Sequence, residues 1–271
     1  MKKRLKLWVK IVILIIILAT LTLIYGTISN YFYKVNEIAL YENINESYNG
    51  LKIVHISDLY YGHNINKKQL KKIINNINLI KPDIVVFTGD LLYKKHDNGI
   101  RLLSKIEANI NKYYVTGDND FENTNQILDE CGFTNLNDTF DLIYKDKTPI
   151  LIAGLSTGGN YDSKLQTIVN FLNKNELYSI LLTHNPSVID KLNYKNFNLI
   201  LAGHTLGGII NLPLIGGIIL PQDDYLYGKK YYKKGNSKIF ISNGLGNNNI
   251  NFRLNNTPSF NFYRLRSNRK N

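Results

Sequence analysis

The stretch Leu51–Asp90, LKIVHISDLYYGHNINKKQLKKIINNINLIKPDIVVFTGD, carries the pattern that decides the fold. Leu51–Ser57 is an apolar run of strand length, and Lys67–Ile80 places Leu70, Ile73, Ile74, Ile77 and Ile80 at helical spacing. Ile84–Thr88 is a second buried-strand run, and each run gives way to an aspartate, Asp58 and Asp90. The alternation continues outward. Asn98–Ile110 reads as a helix, Tyr113–Thr116 as a strand and Glu122–Cys131 as a helix. Phe140–Tyr144 and Ile150–Leu155 form a hairpin-like pair, Ser163–Lys174 a helix, and Tyr178–Thr183 and Asn198–Ala202 two strands. The tail, Lys238–Ser242 and Phe260–Leu265, reads as β, while Ser29–Asn49 is linker-like. Alternating β and α segments predict a layered α/β fold with buried strands.

Composition narrows the functional classes. The chain has 271 residues, 44% hydrophobic and 20% charged, which excludes a disordered or collagen-like polymer. The net charge is +12, but Lys2, Lys3, Arg4, Lys6 and Lys10 crowd the first ten residues. The milder basic excess elsewhere suits an anionic substrate or surface. Lys229-Lys230-Tyr231-Tyr232-Lys233-Lys234 reads as a solvated arm facing anionic envelope polymers or lipid headgroups, so nucleic acid is not an expected partner. Cys131 is the single cysteine, which excludes an intrachain disulfide and a thiolate-built zinc site. No Gly-x-Ser-x-Gly nucleophile motif occurs.

Ile11–Tyr33 contains no charged residue. That is enough to cross a bilayer, which takes about 20 helical residues. The basic left flank predicts a cytoplasmic N-terminus. The expected layout is a cytoplasmic flank at 1–10, a single-pass cell-membrane anchor at 11–33 and an extracytoplasmic domain at 34–271. A cleaved signal would want a small-x-small site, of which Thr27–Asn30 is a poor version, and a buried core helix is the remaining alternative.

Polar residues gather where the strands end. They are Ser57-Asp58-Leu59-Tyr60, Gly89-Asp90, Gly117-Asp118-Asn119-Asp120, Thr183-His184-Asn185-Pro186 and Gly203-His204-Thr205-Leu206-Gly207-Gly208. Singly, such an Asp usually caps a helix and such a His is a satisfied loop residue. Five in succession at strand ends, where α/β sheets place ligands, point to a divalent-metal site built from oxygens and imidazoles.

In this order the motifs resemble those of the calcineurin-like metallophosphoesterases: D-x-H, G-D, G-N-H-D/E, H and G-H-x-H. The resemblance covers about Val35–Leu265. It is closest to a bacterial membrane-associated branch, through Leu182–Pro186, Gly203–Gly208, Leu212–Gly216, Leu220-Pro221 and Ser242–Gly246 with Arg253. It implies a four-layer αββα sandwich with a two-metal site (Mn, Fe or Zn). Asp58, Asp90, Asp118, His184 and His204 match ligand positions. Three family histidines are replaced, by Tyr60, Asn119 and Leu206, which leaves one metal position largely intact and favours one ion over two. Asn119 cannot serve as a general acid, so no catalytic residue is assigned. Tyr60, Tyr93, His63 and His96 are possible substitute ligands.

The resemblance therefore implies a metal-dependent phosphoester hydrolase, slowed by the lost histidines. It acts on a phosphomonoester, phosphodiester or pyrophosphate, and a cell-envelope or lipid-linked substrate is in keeping with relatives of this branch. The alternative is an inactive pseudoenzyme holding one metal and an anionic ligand or partner at the cell surface.

Overall fold

The computed structural model describes residues 6–94, 99–157, 161–191, 197–212, 215–220, 225–248 and 250–268. Helix α1, Leu7–Ile28, runs on through a 3₁₀ turn to Tyr31, giving a 25-residue segment whose 18-residue apolar stretch has mean hydropathy 2.8 and is unburied, while Gly26 and Asn30 at its C-terminal end are buried. It is long and apolar enough to cross a membrane, and its exposure rules out the buried core helix. It starts at Leu7 rather than Ile11, because Lys10 lies inside the first helical turns.

Strands β1 (Lys34–Glu42), β2 (Lys52–Ile56), β3 (Ile84–Thr88), β4 (Asn111–Val115) and β5 (Thr134–Asn135) follow, with α2 (Lys67–Ile80) between β2 and β3 and α3 (Thr124–Glu130) before β5. The second half holds β6 (Thr139–Lys145), β7 (Thr148–Leu155), α4 (Tyr161–Asn175), β8 (Ser179–Thr183), α5 (Val188–Lys191) and β9 (Leu199–Ala202). A small ribbon, β10 (Asn211–Leu212) and β11 (Gly216–Gly217), precedes β12 (Tyr231–Lys234), β13 (Ser237–Ile241) and β14 (Ser259–Ser267).

Two six-stranded sheets result, ordered β1-β14-β2-β3-β4-β5 and β12-β13-β9-β8-β7-β6. β2–β5 run parallel in the first sheet, as do β7, β8, β9 and β13 in the second. Strand alternation gives every central strand two buried faces. Ile53, Ile84, Val86, Ile180, Leu182 and Leu201 fill the layer between the sheets. Val54, Val85 and Phe87 point the other way, onto α2 residues Leu70, Ile73 and Ile77. Leu181 and Ile200 pack on α4 residues Ile168 and Val169. The outcome is the four-layer αββα sandwich.

Two expectations are corrected. Ser29–Asn49 is not a linker, since β1 runs through it, nine residues in parallel register with β14. As an edge strand it stays partly exposed, so its apolar alternation is diluted by Asn36 and Glu37. The helix expected over Asn98–Ile110 is a 3₁₀ segment, Ile100–Lys105. Ile106 turns extended, and the Asn109 and Ile110 N–H groups bond to the carbonyls of Pro82 and Asp83.

Candidate metal centre

All five expected residues lie just beyond the C-terminal ends of parallel strands, on one rim of the sandwich. Asp58, Asp90 and Asp118 follow β2, β3 and β4 of the first sheet, whereas His184 and His204 follow β8 and β9 of the second. The centre is thus carboxylates from one sheet facing imidazoles from the other. Hydrogen bonds hold each half and join the two: Asp58 N–H to the Gly89 carbonyl at 2.9 Å within the first, Gly203 N–H to the His184 carbonyl at 3.0 Å within the second, and His204 N–H to both Asp58 oxygens at 3.2 Å across them.

The backbone is strained here. Asp58, Tyr60, Asp90, His204 and Leu206 all have φ between 41° and 68°, the left-handed region that L-residues seldom enter. Such strain persists where surrounding structure over-determines it, commonly at functional sites. Gly203 shows how tight the packing is, because a Cβ there would overlap Ser57 Oγ and lie 2.7 Å from Asp58 Oδ2.

His184 is the hub. It is fully buried, and its Nδ1 bonds to the Thr88 carbonyl at 2.7 Å, which turns Nε2 toward the centre. Nε2 lies 3.3 Å from Asp90 Oδ2, 3.9 Å from Asp118 Oδ2 and 3.2 Å from His204 Nδ1; that Nδ1 is itself 3.0 Å from Asp118 Oδ2. Among the described residues, two groups of side chains are close enough to hold an ion, Asp118/His184/His204 and Asp58/Asp90/His184, sharing His184. Ligands about 2.0–2.1 Å from a tetrahedral ion stand roughly 3.3 Å apart, so the donor set fits a divalent cation in spacing and chemistry.

The charges point the same way. Burial, reinforced by the Asp90 charge, pushes the Asp58 carboxyl up to about 6. Burial acts on Asp90 in the same direction but is outweighed by His184 and by bonds from Tyr60 and Asn119, which hold it well below the usual carboxylate range. Asp118 is likewise lowered against its burial, chiefly by the bond with His204. Burial opposes charge on His184 too, yet Asp90 and Asp58 raise it well above the ordinary imidazole value. Buried carboxylates are drawing positive charge into this pocket.

The replaced residues also touch the centre. The Tyr60 hydroxyl donates a very short hydrogen bond to Asp90 Oδ2. Asn119 gives its N–H to Asp90 Oδ1 at 2.9 Å, and its amide reaches Asp90 Oδ2 at 2.9 Å and the Tyr60 oxygen at 3.2 Å. Leu206 lines a cleft of about 240 Å³ with Tyr60, Asn119, His204, Ile219 and Ile250. Of the other possible ligands, His63 and Tyr93 stack on each other at 4.2 Å, and His63 Nδ1 is engaged by the Asn247 carbonyl at 2.9 Å. His63 belongs to neither close group, Tyr93 lines a shallow cleft with Asp118 and Asn119, and His96 lies outside the described residues.

One contributor escaped the sequence reading. Asp120 Oδ2 accepts the N–H of Gly117 at 2.7 Å and of Asp90 at 3.0 Å, and its Oδ1 accepts Leu91 N–H at 2.8 Å. It clamps the turns carrying Asp90 and Asp118 together. Burial, then the Asp90 charge, lifts it to about 6. The signal was its place as the acidic residue closing the third motif, to which no role was given.

A layered sandwich with strand-end carboxylates and imidazoles close enough to hold an ion is the arrangement that the metallophosphoesterase resemblance implies. Comparison agrees: the calcineurin-like phosphoesterase family model matches residues 51–208. The chain is 31% identical over 239 residues to the uncharacterized metallophosphoesterase YkuE of Bacillus subtilis, covering 83% of this chain and 82% of that one. An uncharacterized metallophosphoesterase of Campylobacter jejuni is 32% identical over 85% of this chain, which spans only 63% of that relative's length. A transmembrane protein with metallophosphoesterase domain from Danio rerio is 23% identical over 79% of this chain and 52% of its own. The chain belongs to the calcineurin-like phosphoesterase family.

Proposed function

We propose that this protein is a membrane-anchored hydrolase of phosphoesters that works with a single divalent ion held by Asp90, Asp118, His184 and His204, with Asp58 beside them. The observation that carries the reading is the position of His184 Nε2, within 3.2–3.9 Å of donor atoms on Asp90, Asp118 and His204. A divalent ion there supplies a Lewis acid for a phosphoryl oxygen and an acidified water. Mn, Fe and Zn all suit this mixed oxygen and imidazole set.

One ion rather than two is favoured by what surrounds Asp90. Its Oδ2 already accepts hydrogen bonds from the Tyr60 hydroxyl and the Asn119 amide, neutral donors that offset its charge without a second cation. Asn119 can bond to a phosphate oxygen but cannot protonate a leaving group. Lost general-acid help costs about 10²–10⁴-fold, so turnover is slow and falls on esters with good leaving groups. The cleft wall of Leu206, Ile209, Ile219, Leu220 and Ile250 suits an apolar substituent on the phosphate that is not the leaving group, as in a lipid-linked phosphodiester or pyrophosphate. Helix α1 and the zebrafish relative's name support anchoring. The basic flank at 1–10 supports a cytoplasmic N-terminus, leaving 34–271 outside the cell membrane.

A second reading is an inactive module that binds a metal and an anionic ligand or partner. The same Tyr60–Asp90 bond favours it, together with an apolar Leu206 where the family has an imidazole. The full-length chain in detergent, given Mn²⁺, Fe²⁺ or Zn²⁺, should hydrolyse an aryl phosphate or aryl phosphodiester, and His204→Ala should abolish this. Metal-dependent thermal stabilisation without turnover above that variant would establish the second reading and sink the first.

A further inference from the structure

We infer that the β10–β11 ribbon and its neighbours form a second membrane contact that dips into the lipid beside α1 and opens the cleft at the metal centre onto the bilayer. This rests on the reading of α1 as a membrane anchor.

Several bonds fix the end of the helix to the domain. Arg253 N–H donates to the Gly26 carbonyl at 2.9 Å, and Ser29 Oγ donates to the Arg253 carbonyl at 2.7 Å. The Phe252 ring lies against Gly26 so closely that no Cβ would fit there. Arg253 is wholly buried, its guanidinium bonded to Asn247 Oδ1 and to the carbonyls of Asn243 and Gly246. Asn247 Nδ2 in turn donates to Asn30 Oδ1 at 2.8 Å. The end of α1 is therefore built into the domain, which sets the domain's height above the bilayer.

From that junction main-chain bonds lead directly to the ribbon. Leu254 N–H donates to the Ile209 carbonyl at 3.0 Å, Asn211 N–H to the Leu254 carbonyl at 2.9 Å, and Ile209 N–H to the Ile219 carbonyl at 3.0 Å. The ribbon is thus joined through Leu254 to the same segment whose Arg253 bonds to the end of the apolar helix. It presents large apolar side chains outward: Ile215 is 67% exposed, Ile218 49% and Ile219 43%, with Leu226 at 75% and Ile250 at 49% nearby. The methylene stem of the exposed Lys229 lies beside Gly216. Apolar side chains rimmed by a lysine are the composition of an interfacial lipid contact, the stem lying in the apolar layer and the ammonium among phosphates.

Continuity with α1 selects lipid as the occupant. The same continuity joins this patch to the site, because Ile219 and Ile250 belong both to the exposed patch and to the cleft that holds His204 and Asn119. An amphiphilic phosphoester could move from the bilayer to the metal centre along one apolar wall.

Site-directed labelling of the full chain in nanodiscs of phosphatidylcholine and phosphatidylglycerol tests this. The only native cysteine, Cys131, is buried, so the unsubstituted chain sets the labelling background. Bimane is placed at Ile215→Cys, Ile218→Cys, Ile15→Cys in α1 and Tyr144→Cys, the last on an exposed edge strand at the end of the sheet remote from the centre. The expected result is blue-shifted emission, quenched by lipid-borne nitroxide, at Ile15, Ile215 and Ile218 but not at Tyr144. Lipid quenching at Ile15 with none at Ile215 and Ile218 overturns the second contact and leaves the anchor standing. A blue shift at Ile215 without lipid quenching assigns the patch to a protein partner or second copy, and overturns it too. Absence of quenching at Ile15 removes the anchor and this inference together. None of these outcomes depends on hydrolysis, so they are separable from the activity test.

Discussion

The Nδ1 of His184, on the second sheet, bonds at 2.7 Å to the carbonyl of Thr88, the last residue of β3 on the first. A carbonyl only accepts, so Nδ1 carries the hydrogen and Nε2 is the atom presented to the centre. This outer partner orients the ligand as second-sphere groups do in metal sites generally. His184→Ala should therefore lower metal affinity by more than about 100-fold, above the range for loss of an outer-sphere partner. Titrating Mn²⁺ or Zn²⁺ while following Tm checks it. The parent should gain stability with metal and the variant should not, and an undiminished rise would remove His184 from the ligand set.

Tyr60, Asn119 and Leu206 occupy positions where the family motif has imidazoles. Restoring all three, Tyr60→His, Asn119→His and Leu206→His, should raise the bound metal from one ion per chain to two and increase phosphodiesterase turnover. Elemental analysis of the desalted protein decides the first half. Should the parent already hold two ions, the neutral-donor argument at Asp90 fails.

Asp120 holds three N–H groups from two different turns. Asp120→Asn keeps the shape but replaces one acceptor oxygen by a donor facing a donor. The expected loss is about 1–3 kcal/mol, the cost of buried polar groups left unsatisfied, with weaker metal binding because Asp90 and Asp118 are no longer held in register. Urea unfolding and a metal titration measure the two effects. Lowered stability with intact affinity would confine Asp120 to the fold.

His55 lies between the sheets, wholly buried, with Nε2 2.8 Å from Thr88 Oγ1, and burial lowers its pKa to about 3. The folded state thus binds this proton less readily than the unfolded chain, whose imidazole titrates near 6.5. The stability it contributes is present above that value and drains away as pH falls toward 3. Between pH 7 and pH 5 the loss is about 2 kcal/mol. His55→Gln, which does not titrate, should flatten that part of the acid limb. Parallel limbs in denaturant titrations at the two pH values would show that other groups govern it.

The apolar runs and strand-end polar residues were legible in the sequence because they are local. A strand buried on both faces must be apolar throughout, and the first polar residue after it falls on the sheet's C-terminal rim. Asp58, Asp90, Asp118, His184 and His204 could be picked out this way, and so could the length and hydropathy of α1. Edge strand β1 could not, since half of it faces solvent and its identity lies in its pairing with β14, more than two hundred residues away in sequence.

Direction was decided only by the tertiary structure. Nothing local makes the Tyr60 hydroxyl turn to Asp90, stacks His63 on Tyr93, or sends the Asp120 carboxylate back under two turns. These side chains hang from backbone held at positive φ or in tight turns by hydrogen bonds between distant strands. The chain's own preferences fix which residues reach the rim. Packing of one sheet against the other fixes where they point, because it brings carboxylates of one half to within 3.0–3.3 Å of imidazoles of the other.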